Sequence, residues 1–187
     1  MTEAIISKIS QLTVYSDRVL VAIDGRCASG KTTLAAQLCE KLGCQVIHMD
    51  DFFLQPFQRT EQRLSQAGEN LDHERLLSEV LLPISRGENA VYRPFRCHSG
   101  TFDTPVTVSA KGVILFEGSY SMHPSLAPYY DLKIFLTVSP EEQLRRLKIR
   151  NPETLEAFKT KWIPLEEKYF SYYNVESLCG AVFKTDI

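Results

Sequence analysis

The sequence has no apolar run near the roughly 20 residues that a membrane-spanning helix needs. Its beginning lacks the basic segment followed by an apolar segment that marks a secretion signal. The five cysteines form no CxxC pair, and the four histidines show no metal-ligand spacing. We therefore expect a cytoplasmic protein without a membrane partner or a disulfide framework, in which any metal ion arrives with a substrate.

The chain also lacks a large net charge. It has 21 Lys and Arg against 23 Asp and Glu, a net charge of -2, so no overall positive field favours nucleic acid as a partner. Internal repeats and linkers rich in Gly, Pro or Ser are missing too. A hydrophobic fraction of 44% over 187 residues is typical of one globular domain with room for a small insertion.

Apolar strands and amphipathic helices alternate along the chain, which predicts an α/β fold with a parallel sheet covered by helices on both faces. The predicted strands cover residues 19–25, 44–50, 112–118, 132–138 and 180–184. The predicted helices cover residues 30–42, 72–82, where Pro83 lies just beyond the end, and 140–173 with a break at Asn151-Pro152. Residues 51–70 are predicted to form a functional loop, and residues 90–109 a β-hairpin insertion.

A phosphate-binding motif follows the first predicted strand. Residues 25–32, GRCASGKT, match GxxxxGK[ST] and lead into a helix, so backbone N–H groups and the positive helix end converge on a polyphosphate. Lys31 is expected to reach the β- and γ-phosphates, and the Thr32 hydroxyl to bind Mg²⁺. The expected nucleotide-binding residues are Gly25, Ala28, Ser29, Gly30, Lys31, Thr32 and Thr33.

A phosphate-binding loop alone does not separate kinases from GTPases or mechanical ATPases. A GTPase is disfavoured because the strand over 112–118 ends in Phe-Glu-Gly and the sequence holds no NKxD. A mechanical ATPase is disfavoured by the short chain without a large basic surface, although Leu115-Phe116-Glu117 could serve as a Walker B equivalent.

Several further motifs, in this order, resemble the uridine kinase family. They are HMDDFFL at 48–54, NLDHERL at 70–76, FRCHS at the hairpin, VILFEGSY at 113–120, and YDLKIFLTV before an Arg-rich helix. The resemblance covers about residues 19–184 and implies a P-loop kinase that phosphorylates a primary hydroxyl of a small metabolite. Related kinases act on nicotinamide riboside, pantothenate and phosphoribulose.

The resemblance places a catalytic carboxylate at Asp50, where it would accept the proton of the attacking hydroxyl. Its position at the tip of a strand beside the P-loop strand agrees with this role. Asp51 is adjacent, but consecutive strand residues point to opposite faces, so Asp50 is preferred. Glu117 resembles the acidic Mg²⁺ partner of the family. The expected metal ligands are Thr32, Asp50 and Glu117.

Four residues besides Asp50 are expected to line an acceptor pocket: Phe53, Asp72, Arg93 and His98. Asp72 and His98 match family residues that bind ribose hydroxyls and the base, although Asp72 is equally suited to cap a helix. Core packing is the alternative for Phe53. Arg93 belongs to an Arg-Pro-Phe segment where uridine kinases have Tyr-Asp-Phe, which would favour a carbonyl-bearing or anionic acceptor if the guanidinium is buried.

The predicted helix that begins at residue 140 corresponds to the family's lid. The resemblance assigns Arg146 and Arg150 to stabilising the transferring charge and Arg145 to nucleotide binding. The spacing is one residue longer than the family's RRxxRD, so the arginine that points inward is left open, and a solvated basic helix face is the alternative.

These observations together predict an ATP- and Mg²⁺-dependent kinase that acts on the 5′-hydroxyl of a nucleoside such as uridine. The alternatives are a kinase of pantothenate, nicotinamide riboside or a sugar, and a nucleotide-binding regulatory module without transfer activity. The choice between ATP and GTP and the oligomeric state are left open.

Overall fold

A computed structural model describes residues 1–186 of the chain. Five strands in this part of the chain form the main sheet: β1 (Arg18–Gly25), β2 (Gln45–His48), β7 (Gly112–Glu117), β8 (Leu132–Thr137) and β9 (Ala181–Lys184). They are all parallel and lie in the order β2-β7-β1-β8-β9. The predicted parallel sheet is confirmed, because each of its five strands coincides with a predicted one to within two residues.

Helices α1 (Thr2–Thr13) and α2 (Lys31–Leu42) cover one face of the sheet. Ile5, Ile9, Leu34 and Leu38 from these helices pack with alternate residues of β1 such as Val21. Sequence reasoning missed α1, although its buried isoleucines stand four residues apart, the spacing of one helix face.

Helices α4 (residues 73–85) and α6 (residues 155–173) cover the other face. Helix α4 consists of His73–Leu76, a π-helical turn Leu77–Leu81, and Leu82–Ser85. The prediction that Pro83 lies beyond this helix is therefore wrong. A proline clashes with the carbonyl four residues before it in a regular helix, and we attribute its tolerance here to the wider π turn directly upstream.

Helix α6 is likewise interrupted by a π-helical turn. It consists of Leu155–Ala157, the π turn Phe158–Trp162, and Ile163–Tyr173. Its buried Tyr169 and Phe170 pack in the core between the helix and the sheet, where Phe135 of β8 meets Phe170 edge-on at 5.0 Å.

The predicted hairpin insertion is confirmed as two short antiparallel pairs. Strand β3 (Ala90–Tyr92) pairs with β6 (Val106–Val108), and β4 (Phe95–Arg96) pairs with β5 (Thr101–Phe102). The predicted loop over residues 51–70 is irregular for most of its length but includes the short helix α3 (Glu61–Leu64).

Helix α5 (Pro140–Arg150) begins where the sequence predicts, with the Ser139 hydroxyl accepting the Glu142 N–H at 3.4 Å. Over residues 1–186, we find no helix that combines the length and apolar character needed to cross a bilayer.

Candidate active site

A cavity of about 370 Å³ opens at the carboxyl ends of β1, β2 and β7, the edge where ligands of open α/β sheets bind. It collects residues from the P-loop, from the segments after β2 and β7, and from α5 and α6. The lining residues that the chemistry below uses are Lys31, Thr32, Asp50, Phe53, Glu117 and Arg150.

The P-loop conformation depends on residues with positive φ. Gly25 has φ +134°, and a Cβ placed there would lie 1.9 Å from the Leu136 carbonyl oxygen, so only glycine fits. The glycine at position 25 therefore allows close contact with the neighbouring strand β8, and it does not line the cavity. Ala28 (φ 59°) and Gly30 (φ 94°) complete the turn and do line it. Ser29 is fully buried outside the lining, and its backbone N–H donates to Arg26 O at 3.1 Å.

Two side chains at the start of α2 face the cavity. The Lys31 ammonium donates to the Gly25 and Arg26 carbonyl oxygens at 2.7 and 2.9 Å, across the loop that precedes it. The Thr32 hydroxyl lies 3.3 Å from each carboxylate oxygen of Glu117. A cation and a hydroxyl are thus held beside the open turn, as polyphosphate and metal binding require.

The carboxyl groups of Asp50 and Glu117 share this end of the cavity. Glu117 ends β7 with only 5% of its surface exposed, and His48 Nδ1 lies 2.6 Å from its Oε1. Gly118 lets the chain after β7 pass close to Met49, because a Cβ there would lie 2.7 Å from the Met49 Cβ.

The charges of these groups influence each other's protonation. The pKa of Asp50 is raised. The largest cause is partial desolvation of its carboxyl by the cavity walls, and the negative charge of Glu117 adds to it. The residue itself still reaches solvent. The pKa of His48 is raised by its hydrogen bond to Glu117. A cation placed between the two carboxylates would relieve their mutual repulsion.

The residues present fit a magnesium nucleotide. One hydroxyl and two carboxylates are hard oxygen ligands of the kind that Mg²⁺ prefers, and they adjoin the P-loop. Among residues 1–186, no atom beyond the adjacent backbone lies within 4 Å of a Cβ placed at Gly30, so the loop leaves room for phosphate to approach its backbone.

The side chains of Asp50 and Asp51 point in different directions because the two residues lie in a helical turn, and not because side chains alternate along a strand. Strand β2 ends at His48, two residues before the predicted end, and Met49–Phe52 form a 3₁₀ turn. This turn leaves Asp50 in the cavity and directs Asp51 to the hairpin, where it accepts from Tyr92 OH at 3.1 Å and pairs with Arg96 at 3.2 Å.

Of the four residues expected in the acceptor pocket, only Phe53 lines the cavity. Asp72 is 3% exposed and caps α4 by accepting the Arg75 N–H at 3.2 Å. Arg93 is exposed and donates to the Asp103 and Phe102 carbonyl oxygens within the hairpin, and His98 lies exposed near the hairpin tip. These three residues therefore lie outside the cavity lining, because capping and hairpin hydrogen bonds hold two of them elsewhere, and their contact with an acceptor stays a prediction.

The three arginines of α5 have different surroundings. Arg150 lines the cavity. Arg146 supports the P-loop from outside, donating to Ala28 O at 3.1 Å and to Glu142 at 2.7 Å. Arg145 makes a two-pronged ion pair with Glu142 at 2.6 and 2.7 Å and does not line the cavity.

Sequence reasoning missed the contribution of α6. Glu166 accepts the Cys27 N–H at 2.9 Å and the Ser119 hydroxyl at 2.5 Å, which joins the P-loop to the segment after β7. Phe158 and Trp162, at the two ends of the π turn, also line the cavity. The available signal was the acidic pair Glu166-Glu167 in a predicted helical stretch, since Glu167 also pairs with Arg26 at 2.6 Å.

No protein-family model matches the chain. Among curated proteins, a cytidylate kinase of Mycoplasmopsis agalactiae is 26% identical in an alignment 175 residues long, which covers 79% of this chain and 76% of that protein. The tRNA-specific adenosine deaminase subunit tad2 of Schizosaccharomyces pombe is 28% identical in an alignment 134 residues long, which covers 68% of this chain but only 32% of that protein.

Solved structures resemble the chain over nearly its full length. A possible uridine kinase from Bacillus stearothermophilus has a TM-score of 0.68 at 20% identity, covering 96% of this chain and 99% of its own. YFH7 from Saccharomyces cerevisiae, which contains a P-loop and a circular permutation, has a TM-score of 0.71 at 13% identity, with 100% and 99% covered.

A third structure, D-glycerate 3-kinase from Cryptococcus neoformans var. grubii, has a TM-score of 0.56 at 16% identity, covering 89% of this chain and 86% of its own. Identities this low show the fold alone. The chain thus has an α/β P-loop fold, which it shares with these three solved structures.

Proposed function

We propose that this protein is a kinase that transfers the γ-phosphoryl group of ATP, in the presence of Mg²⁺, to a primary hydroxyl of a small metabolite. The observation that carries the proposal is the convergence of the P-loop, Lys31, Thr32, Asp50 and Glu117 on one cavity. Phosphoryl transfer depends mainly on positioning and charge neutralisation, and this set supplies both.

On the donor side, the P-loop backbone would cradle the phosphates, and Lys31 would exchange its carbonyl partners for phosphate oxygens. Thr32, Asp50 and Glu117 would hold Mg²⁺, which supplies neutralisation of phosphate charge when bound. Arg150 would add a second cation from the lid helix, and Arg146 would keep the P-loop in shape through Ala28.

On the acceptor side, Asp50 would orient the hydroxyl and take its proton as the oxygen attacks the γ-phosphorus. The new P–O bond forms while the bond from phosphorus to the ADP oxygen breaks. The position of Asp50 in the cavity beside Lys31 and Glu117 suits this role.

A neutral, ring-bearing acceptor fits the remaining lining best. The segments after β2 and β7 contribute the aromatic residues Phe53 and Tyr120 to the lining, and the buried Asn70 amide donates to Tyr120 OH at 3.2 Å. Among the described lining residues, only Lys31 and Arg150 are cations, and both are assigned to the donor phosphates.

A phosphorylated acceptor, such as the substrate that the name of the cytidylate kinase relative suggests, would need further cations. We therefore favour the 5′-hydroxyl of a nucleoside such as uridine over a nucleotide. Pantothenate, nicotinamide riboside and sugars are the alternative alcohols, and contact of an acceptor with the hairpin residues Arg93 and His98 remains a prediction.

The test is acceptor-dependent ADP release by the purified protein with Mg-ATP. The panel contains nucleosides, cytidine monophosphate, glycerate, pantothenate, nicotinamide riboside and sugars, and Lys31→Ala serves as the inactive control. We expect release with one alcohol class and none with the variant. Turnover with cytidine monophosphate alone would contradict the alcohol acceptor, and ATP binding without any turnover would favour a regulatory module.

A further inference from the structure

A buried carboxylate lines the candidate active site beside the P-loop. It belongs to Glu166 of α6, which contributes to the cavity lining with only 6% of its surface exposed. A negative charge at this place repels phosphate, and a buried charge is costly when few donors surround it. The carboxylate is therefore unfavourable here unless its contacts offset this cost.

The two oxygens of this carboxylate accept hydrogen bonds from two different segments of the chain. Oε2 accepts the Cys27 N–H of the P-loop at 2.9 Å, and Oε1 accepts the Ser119 hydroxyl at 2.5 Å. A glutamine side chain has one acceptor oxygen, and its amide nitrogen only donates. Glutamate at position 166 therefore satisfies both donors, whereas glutamine in the same place would satisfy one of them.

The hydrogen bond from Cys27 fixes the peptide unit that joins Arg26 to Cys27. In a trans peptide the N–H and the C=O point in opposite directions. The N–H of this unit donates to Glu166, so the Arg26 carbonyl oxygen faces away from the carboxylate and accepts from Lys31 Nζ at 2.9 Å. Glu166 thereby holds one of the two P-loop carbonyl groups that contact the Lys31 ammonium.

Ser119 provides a second connection between Glu166 and Lys31. The Ser119 Oγ atom lies 3.4 Å from Lys31 Nζ. Its proton goes to Glu166, because that oxygen is 2.5 Å away whereas the alternative acceptor, Gly25 O, is 3.3 Å away. The lone pairs of the hydroxyl are then free to accept from the ammonium. A continuous set of hydrogen bonds thus runs from the P-loop backbone through Glu166 and Ser119 to Lys31.

We propose that Glu166 is a positioning residue for phosphate binding, which orients the P-loop peptide after Arg26 and, through Ser119, keeps the Lys31 ammonium beside the loop. The proposal rests on the proposed function only in that Lys31 binds nucleotide phosphates. Groups that are ordered before a ligand arrives take less from the binding free energy. We expect this gain to exceed the repulsion between carboxylate and phosphate, because the Lys31 ammonium lies near both.

The adjacent Glu167 offers a matched control on the same helix. Its side chain is 42% exposed, and its oxygens accept from the Arg26 guanidinium at 2.6 and 2.9 Å. This ion pair contacts the side chain of a P-loop residue and leaves the loop backbone to Glu166. Glu166→Gln and Glu167→Gln therefore remove the same charge at neighbouring positions, but only the first disturbs the P-loop peptide.

Calorimetric titration with ADP and Mg²⁺, without any acceptor, tests this role. Glu166→Gln should weaken ADP binding roughly 10- to 100-fold, the scale of a lost hydrogen bond to a charged group. Glu167→Gln should stay within about twofold of wild type. AMP lacks the β-phosphate that Lys31 is expected to reach, so its affinity should fall much less in Glu166→Gln. Ser119→Ala should weaken ADP binding in the same direction, and Ser119→Thr, which keeps the hydroxyl, should restore it.

Circular dichroism checks that each variant is folded, and Ser119→Ala carries the test if Glu166→Gln does not fold. Unchanged or tighter ADP binding by Glu166→Gln would mean that the carboxylate only repels phosphate, and it would overturn the proposal. Equal losses in Glu166→Gln and Glu167→Gln, or equal losses for ADP and AMP, would overturn it as well. Because the titration needs no acceptor, the predicted losses in a protein that transfers no phosphoryl group would support the positioning role and contradict the proposed kinase.

Discussion

Asp50 and Asp51 are adjacent in the sequence, but a single helical turn directs their side chains to different parts of the molecule. Asp50 faces the candidate active site, whereas Asp51 is buried against Tyr92 and Arg96 of the hairpin. Asp50→Asn should keep nucleotide binding and lower kcat roughly 10²-fold or more, the usual size of a general-base contribution. Steady-state kinetics and nucleotide titration of the variant check this result.

Asp51→Asn is the matched control. It weakens an ion pair and a hydrogen bond to the hairpin, so we expect a lower midpoint of unfolding and a kcat much closer to that of the wild type. If Asp51→Asn loses kcat and Asp50→Asn retains it, Asp50 is not the base.

The arginines of α5 give a second test of single side chains. Arg150 lines the cavity, whereas Arg145 is paired with Glu142 and lies 56% exposed. Arg150→Ala should lower kcat/KM for ATP roughly 10²-fold, on the scale of losing one charge-stabilising donor. Arg145→Ala should stay within about twofold of wild type, as exposed substitutions usually do. The reverse order would mean that the lid closes with Arg145 inward.

The junction between α6 and the P-loop strand rests on a buried hydrogen bond. Tyr169 OH donates to Asp24 Oδ2 at 2.9 Å, and the same oxygen accepts the Met122 N–H at 2.9 Å. Asp24 and Tyr169 are both fully buried, so the carboxylate depends on these donors in place of water.

Tyr169→Phe should therefore lower the free energy of unfolding by about 1.5–3 kcal/mol, the range for a hydrogen bond to a charged group. The neighbouring Tyr172 is 73% exposed, and Tyr172→Phe should change stability by less than about 0.5 kcal/mol. Urea unfolding at neutral pH measures both. Equal effects of the two substitutions would show that the Asp24 contact contributes little.

The elements that carry a strong local pattern could be predicted from the sequence. The apolar run before GRCASGKT gave β1 and α2, and Ser139 marked the start of α5. Helix α1 was missed because its isoleucines were read only as the beginning of the chain, and the continuation of α4 past Pro83 depends on a π turn that no propensity signals.

The candidate site was predictable where residues follow directly from a motif, as Lys31, Asp50 and Glu117 do. Residues that reach the cavity from a distant part of the chain, such as Glu166 and Trp162 of α6, carry no short-range signal. For the hairpin, the sequence suggested a lining residue that the cavity does not contain. The resemblance placed Arg93 at the pocket, but hydrogen bonds across the hairpin hold its guanidinium.

The stability of the whole molecule should respond to pH through Asp24. Burial raises the pKa of this carboxyl from 3.8 to about 6 in the folded chain. Between these two values the folded state binds more protons than the unfolded state, so this contribution to the free energy of unfolding falls as pH rises.

Asp24→Asn removes the titrating carboxyl. The difference in the free energy of unfolding between wild type and variant therefore isolates the pH dependence that Asp24 contributes. We expect the advantage of the wild type over the variant to shrink by on the order of 1–3 kcal/mol between pH 4 and pH 7. Urea titrations across this range provide the measurement. An advantage that grows with pH would mean that the folded state favours the charged carboxylate.

Phosphoryl transfer by the intact protein connects these parts, because it needs the P-loop, the two carboxylates and the acceptor lining at once. The most direct measurement incubates wild-type protein and Asp50→Asn with γ-labelled ATP, Mg²⁺ and a nucleoside panel, and identifies the labelled product by mass spectrometry. We predict a labelled phosphate on the 5′-hydroxyl of a nucleoside, formed by the wild type and at least roughly 10²-fold more slowly by the variant. Label found only in free phosphate, or a product formed equally fast by both proteins, would contradict a kinase that uses Asp50.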